Sequence, residues 1–348
     1  MKSKSVTRLL LILSAILTLS SAASRGSTFS AYYAFGDSLS DTGRNPATPA
    51  GSYYNGRWSN GPLWVEYLSA DLGLAYNPSN NWAISGSTSS NLLSQIANVP
   101  SSPALHTALF SVLSGGNDFL NNVTLGVNDS AWALVVTDAV SNITLTVTTL
   151  YTNGAREVIV GNLPNLGQTP AFNSAPAGYA SYVDTKVSLF NNLLQSSMTN
   201  AMQKDPGLRV YLVNFNATLS NVLNAPTAYG FTVTTNGALE DPNLTDKSFN
   251  GPGANYVFWD TVHPTTKMHA LIGAAAYAAV GVEMALSGKG TNFNLTVNNL
   301  YPGLPYTIQS STNLMSWSTY QAFTASATNS IVSVTNKSNR QAFYRINY

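Results

Sequence analysis

The sequence predicts an α/β fold built on a parallel sheet, followed by a small all-β module. Three observations carry this. Apolar segments of strand character alternate with segments of helical periodicity from Tyr32 onward. The last helical segment ends near Leu286, and beyond Ser287-Gly288-Lys289-Gly290 only short alternating runs remain. The length, 348 residues, suits one large domain or a medium domain with a small one attached.

Taken in order, Tyr32 to Phe35 is a short strand, and Leu63 to Leu72 is a helix with Trp64, Tyr67 and Leu68 on one face. Thr107 to Leu113 is a second strand, broken by Gly115-Gly116. Ala131 to Tyr151 is long enough for a helix despite its valines and threonines, and Asn153-Gly154 is a good C-terminal cap. Glu157 to Val160 is a buried strand. Val183, Val187, Phe190, Leu194, Met198 and Met202 recur every three or four residues, which makes one face of a helix. Val210 to Phe215 is another strand, and a last helix runs from about Thr265 to Leu286. Strands alternating with helices imply a parallel sheet covered on both faces. Sites in such sheets lie at the carboxyl ends of the strands. The terminal runs around Phe293, Tyr306, Val332 and Phe343 are separated by turn signals such as Pro302-Gly303 and form the β module. The expected boundaries are a leader at 1–23, the α/β domain at 24–286, a linker at 287–292 and the β module at 293–348.

Only 9% of the residues are charged, and Ser, Thr, Asn and Gly fill the polar positions. Such a surface is neutral and hydrogen-bonding, with no electrostatic footprint for nucleic acid or anionic lipid. The first residues combine Lys2, Lys4 and Arg8 with an apolar run from Leu9 to Leu19 and small residues ending at Ala22-Ala23, the pattern of a cleaved export leader. The run is too short to cross a bilayer, so no transmembrane segment is expected in the mature chain. Loss of the leader takes the formal charge from +1 to near −2. Cysteine is absent, which excludes disulfides, thiolate catalysis and Cys-based zinc sites.

The chemistry gathers in four short stretches. "AFGDSLSDTG" ends a strand at Gly36-Asp37-Ser38-Leu39 and places Ser38 at a carboxyl end. "NWAISGST" offers the backbone N–H of Gly86 as a donor. "SGGNDF" sets Asn117 and Asp118 behind two glycines, which let a backbone come close to a ligand, and the Asn side chain can donate to a developing oxyanion. "FWDTVHPT" places Asp260 three residues before His263. A carboxylate there can fix the imidazole tautomer and leave Nε2 as a base, for which a serine on a sharp turn is the matching nucleophile. Each stretch alone also fits an ordinary turn, helix start or surface pair. Of the other histidines, His106 and His269 read as structural or exposed. Trp58, Trp64, Trp82 and Trp259 are candidates for lining an acyl pocket, or for the core. No metal-ligand cluster or phosphate loop appears, so neither metal nor cofactor is expected.

Together, and in this order, the four stretches resemble the blocks of the GDSL esterase/lipase family, also called SGNH hydrolases. "GRWSNGPLWVEYLSADLGL", "NGAREVIVGNLPNLGQTP" and "YVFWDTVHPT" resemble its plant-type branch. The resemblance runs from about Tyr32 to Met284. One departure is Gly167-Gln168-Thr169-Pro170, where plant members often carry Gly-Cys-Thr-Pro. The resemblance implies a flavodoxin-like three-layer α/β/α sandwich. It implies Ser38 as nucleophile, His263 as base and Asp260 orienting it. The oxyanion hole would come from the Ser38 and Gly86 N–H groups and the Asn117 side chain. Asp37 and Asp118 are then supporting or turn residues.

The leading expectation is a secreted or periplasmic, bacterial serine esterase acting on lipid, short acyl or acylated-polysaccharide esters. A carbohydrate O-deacetylase on the same fold, or a non-catalytic binding protein or adhesin, are the alternatives. The terminal module is similar to small fibronectin-like modules appended to secreted bacterial enzymes, and binding to polysaccharide or a cell surface is among the roles that fit it.

Overall fold

The computed structural model describes residues 29–45, 52–99, 101–125, 128–281, 283–289, 292–298, 300, 305–312, 316–327, 329–335 and 342–347. The leader expected at 1–23 lies outside them.

Four strands form the central sheet in the order β1-β2-β3-β4, all parallel: β1 (Tyr32–Gly36), β2 (Leu109–Leu113), β3 (Glu157–Gly161) and β4 (Arg209–Val213). Residues 81–84 run along the free edge of β1, where Trp82 N–H donates to Ala34 O and Ile84 N–H to Gly36 O. With that segment the order is the 2-1-3-4-5 of doubly wound, flavodoxin-like sheets, and the switch point falls between β1 and β2.

Because both faces are covered, the strands are apolar throughout, and β2 is buried at every position. Phe35, Phe110, Val112, Val158 and Val160 face one layer, made by α2 (Leu92–Ile96), α4 (Asp129–Thr152) and α5 (Tyr179–Lys204). Tyr32, Ala34, Leu109, Leu113, Ile159 and Val213 face the other, made by α1 (Trp64–Asp71), α6 (Phe215–Asn224) and α7 (Thr266–Gly281). α4 is long and apolar enough to span a membrane by length and composition. Here its Trp132, Val136, Val140, Ile143, Val147 and Leu150 are buried against the sheet.

Several elements differ from the sequence reading. Strand β2 starts at Leu109, because Pro103–Thr107 form a 3-10 turn capped by Ser102. Gly115-Gly116 opens a helix, α3 (Gly116–Leu125), rather than a turn. Phe215 begins α6 instead of ending a strand, because the Asn214 side chain accepts from Ala217 N–H and caps a new helix. The last helix stops at Gly281, not Leu286. Glu283–Lys289 form β7, paired antiparallel with β8 (Asn292–Asn298), so Ser287 to Lys289 belong to a hairpin arm and not to a linker. Helix-forming Glu, Met, Ala and Leu are overruled there by the ladder they complete.

A two-stranded parallel pair, β5 (Val233–Gly237) with β6 (Tyr256–Phe258), precedes α7. The C-terminal module has two three-stranded antiparallel sheets. One is β11 (Asn329–Thr335), β8 and β7; the other is β10 (Ser318–Thr324), β9 (Pro305–Ser311) and β12 (Phe343–Asn347). Leu295, Val297, Tyr306, Ile308, Val332 and Val334 fill its core, which Ala278 of α7 joins.

The end of β1 is the tightest backbone approach in the sheet. Gly36 has φ 144°, and a Cβ there would lie 2.1 Å from the Leu113 carbonyl oxygen. Gly36→Ala is expected to lower stability by about 3 kcal/mol or more through backbone strain and collision together. Urea unfolding of the two proteins measures it; a loss under about 1 kcal/mol, the range of an ordinary substitution, would show that the strand end yields.

Candidate active site

The switch point between β1 and β2 brings three chain segments together. Ser38 lies two residues past β1, on a turn closed by Ser40 and Asp41 N–H groups donating to Asp37 O. Asn117 lies in the first turn of α3, just past β2. Asp260 and His263 lie in the loop after β6, closed by Trp259 N–H donating to His263 O at 2.7 Å.

His263 Nε2 is 2.8 Å from Ser38 Oγ, although 225 positions separate the two residues. His263 Nδ1 is 2.7 Å from Asp260 Oδ2. With Nδ1 protonated and donating to the carboxylate, Nε2 is the acceptor for the Ser38 hydroxyl. Asp260 Oδ1 accepts from the N–H groups of Val262 and His263, which fixes the carboxylate in plane. Burial alone would raise the Asp260 carboxyl. The His263 ring and these N–H donors outweigh it and hold Asp260 below the usual carboxylate range.

Neither the Ser38 nor the Gly86 N–H has a protein acceptor among the described residues. Gly86 has φ 83°, a conformation that suits glycine, and its segment is held by Asp41, whose Oδ2 accepts from Ser85 N–H and Oγ–H. Asn117 Nδ2 donates to Ser87 O at 2.9 Å, which orients the carboxamide and leaves its second N–H. Asp118 accepts from Ser89 N–H and Oγ–H and so ties α3 to the Gly86 loop. Asp37 is buried beside Gly116 and accepts from Leu39 N–H. Burial pushes its carboxyl up to about 6, against the pull of that N–H and of His263.

Three contributors have no signal in the sequence pattern. The Gln95 side chain exchanges two 2.8 Å hydrogen bonds with the backbone of Gly36 and clamps the strand end before Ser38. Tyr53 donates to Asp260 Oδ2 at 2.8 Å; burial and the Asp260 charge push its phenol up, so it remains a donor. Trp58 stacks on the His263 ring with centroids 4.9 Å apart. The sequence offers Trp58 as a candidate for the acyl pocket or the core, with no sign of this stacking.

The site opens on an apolar cavity of about 270 Å³. Trp58 and Trp64 line it. Trp82 and Trp259 do not: Trp82 lies under the Arg44 guanidinium, and Trp259 is core beside Ala238 and Tyr256. His106 is exposed, and His269 is fully buried, its Nδ1 accepting from Trp64 N–H at 3.4 Å.

A doubly wound sheet carrying a hydroxyl–imidazole–carboxylate chain at its switch point has the architecture of a hydrolase. Residues 32–276 match the GDSL-like Lipase/Acylhydrolase family, and the chain belongs to it. It is a carboxylic ester hydrolase of that family. It is similar to the phosphatidylcholine-sterol acyltransferase of Aeromonas hydrophila, 28% identical over 75% of this chain and 92% of that protein. The thermolabile hemolysin of Vibrio parahaemolyticus is 26% identical over 68% of this chain and 60% of its own length. A GDSL esterase/lipase of Arabidopsis thaliana is 24% identical over 71% of this chain and 87% of that one. Among solved structures, an acetylxylan esterase from Geobacillus stearothermophilus aligns with TM-score 0.45 and 16% identity, over 73% of this chain and 94% of that one.

Burial first, and then the charge of His263, pushes His269 down to about 3. The folded state therefore keeps this ring neutral, while the unfolded chain takes up a proton below about 6.5. The stability tied to His269 is intact above that value and lost as pH falls from about 6.5 toward 3. Between pH 7.5 and 5 this group is expected to remove about 2 kcal/mol. In His269→Asn, which keeps an acceptor for Trp64 N–H, the slope of unfolding free energy against pH flattens by that amount. Parallel slopes in the two proteins would contradict the assignment.

Proposed function

We propose that the protein is an exported serine esterase that works through an acyl-serine intermediate at Ser38. The single observation that carries this is the Ser38 Oγ–His263 Nε2 contact, continued from Nδ1 to Asp260. Ser38 Oγ attacks the ester carbonyl as its proton passes to Nε2. Asp260 holds the tautomer and stabilises the imidazolium that forms. The Ser38 and Gly86 N–H groups and the spare Asn117 N–H receive the developing oxyanion. His263 returns the proton to the leaving alcohol, and water then attacks the acyl-serine with His263 as base. Trp58, stacked on the ring, keeps the imidazole in the plane this exchange requires.

The second reading is a carbohydrate O-deacetylase. A polar groove of about 440 Å³, lined by Asn162, Asn191, Asn192, Gln195, Asn214 and Asn216, favours it. It begins one residue from Leu163 of the apolar cavity, and its uncharged amides suit a neutral glycan.

Ser38→Ala is expected to abolish turnover of p-nitrophenyl butyrate and labelling by a fluorophosphonate; labelling that persists would remove Ser38 from the role. Asn117→Ala is expected to lower kcat by about 10²–10³-fold. An unchanged kcat would exclude its carboxamide from the oxyanion hole. Export is tested by N-terminal sequencing of the processed protein, expected to begin near Ser24; an intact Met1 in the product found outside the cytoplasm would refute leader cleavage.

A further inference from the structure

One part of the cavity at Ser38, its apolar arm, is lined by side chains that the ester chemistry alone does not require. Its walls are Trp64 of α1, Leu113 of β2, Phe215 and Leu219 of α6, and Met268 and Ile272 of α7. All six belong to the core layer between the sheet and these helices, and none is more than 8% exposed. Phe215 and Leu219 are four residues apart on one helix, as are Met268 and Ile272 on another. Each pair therefore forms a continuous apolar stripe about 6 Å long. The one polar atom among these side chains, Trp64 Nε1, is already bonded to Ser40 Oγ. The opposite core layer, around α4 and α5, contributes Leu163 and Leu166 to the cavity but none of these six walls.

We propose that this arm holds the acyl chain of the substrate, and that the preferred acyl group is a medium-length saturated chain of about eight to ten carbons. This rests on the reading of Ser38 as nucleophile. An acetyl group has a single methyl to bury, so six apolar side chains add little to its selection. A cavity of about 150 Å³ lined by Leu, Ile and Phe takes a six-carbon ring. By proportion, the whole space of about 270 Å³ takes roughly ten carbons. A cavity in a core also lowers stability in proportion to its volume. The six side chains are apolar, and they line the same cavity as the reacting hydroxyl. An acyl chain lying along them leaves the carbonyl at Ser38 and the alcohol half of the ester directed away from these walls. The polar groove, lined by Asn162 next in sequence to Leu163 of the cavity, offers a polar alcohol a surface distinct from these apolar walls.

The test is kcat/KM of the full chain on p-nitrophenyl acetate, butyrate, octanoate, decanoate and palmitate, with fluorophosphonate labelling of Ser38 run alongside. We expect kcat/KM to rise about three- to four-fold per methylene up to octanoate or decanoate, the factor that burying one CH₂ supplies. It should fall for palmitate, whose chain exceeds the space. Filling the arm with Leu219→Trp or Ile272→Trp should move the optimum to butyrate and cut the octanoate-to-acetate ratio more than tenfold. Ile272→Ala should move the optimum the other way, to chains longer than decanoate. These opposite shifts are read as ratios within each variant, so partial loss of folded protein does not mimic them. A flat profile, an optimum at acetate, or an optimum that none of the variants moves overturns the proposal while Ser38 still labels. If no ester is turned over and Ser38 does not label, the serine-esterase reading itself has failed, and this inference falls with it.

Discussion

The position of Ser38 depends on how the chain leaves the sheet at Gly36. The backbone there passes against the Leu113 carbonyl, at a φ that strongly favours glycine. The Gln95 carboxamide bonds both the N–H and the C=O of Gly36, and Ile84 N–H donates to the same carbonyl, so the polar groups at the end of a buried strand are satisfied. The chain then turns at once, and Ser38 projects over the switch point. The same Gln95 amide lies 3.3 Å from Ser87 Oγ. One side chain thus links the strand end to the loop that carries Gly86. The distances in the site are set by this junction before any catalytic group is considered.

A second set of cross-links holds the histidine loop, and it comes from "GRWSNGP". Ser59 Oγ donates to Pro264 O, and the Asn60 carboxamide accepts from Thr266 N–H while donating to Phe249 O. These bonds join segments about two hundred residues apart, next to the Trp58 ring that stacks on His263. The stretch resembled its family before any role could be given to it; its polar residues brace the loop that carries His263, and its tryptophan lines the cavity.

What the residues disclosed on their own was limited by range. Period-two and period-3.6 patterns are local, so the strands at Tyr32 and Glu157 and the long helices were legible. So was the alternation of Leu295 and Val297 in the terminal module. The helix at Phe215 was not, because its capping Asn214 reads equally as a loop residue. The strand at Glu283 was not, because only its partner at Asn292 makes it one. The catalytic candidates were legible because four blocks stand in a fixed order. Tyr53 and Gln95 were invisible, since each acts through a single long-range hydrogen bond that leaves no periodic trace. Trp82 and Trp259 were indistinguishable from Trp58 and Trp64 for the same reason: a tryptophan's sequence neighbours do not say which void it faces.

Two buried carboxylates near the imidazole show how the environment divides labour. Asp260 does not line the cavity. It receives four donors: two backbone N–H groups, the His263 ring and the Tyr53 phenol. They replace the water it has lost, and it stays ionised. Asp37 lines the apolar cavity, and its side chain receives the Leu39 N–H. Burial therefore dominates, and it takes up a proton near neutral pH far more readily than an ordinary aspartate. The difference is not in the residue type or the depth of burial but in the number of donors each carboxylate meets. At Asp260, which the proposed mechanism needs charged, the fold supplies hydrogen bonds from several segments. Beside the apolar cavity it leaves Asp37 poorly solvated, so that on the proposed mechanism the negative charge next to the oxyanion position is weakened instead of reinforced.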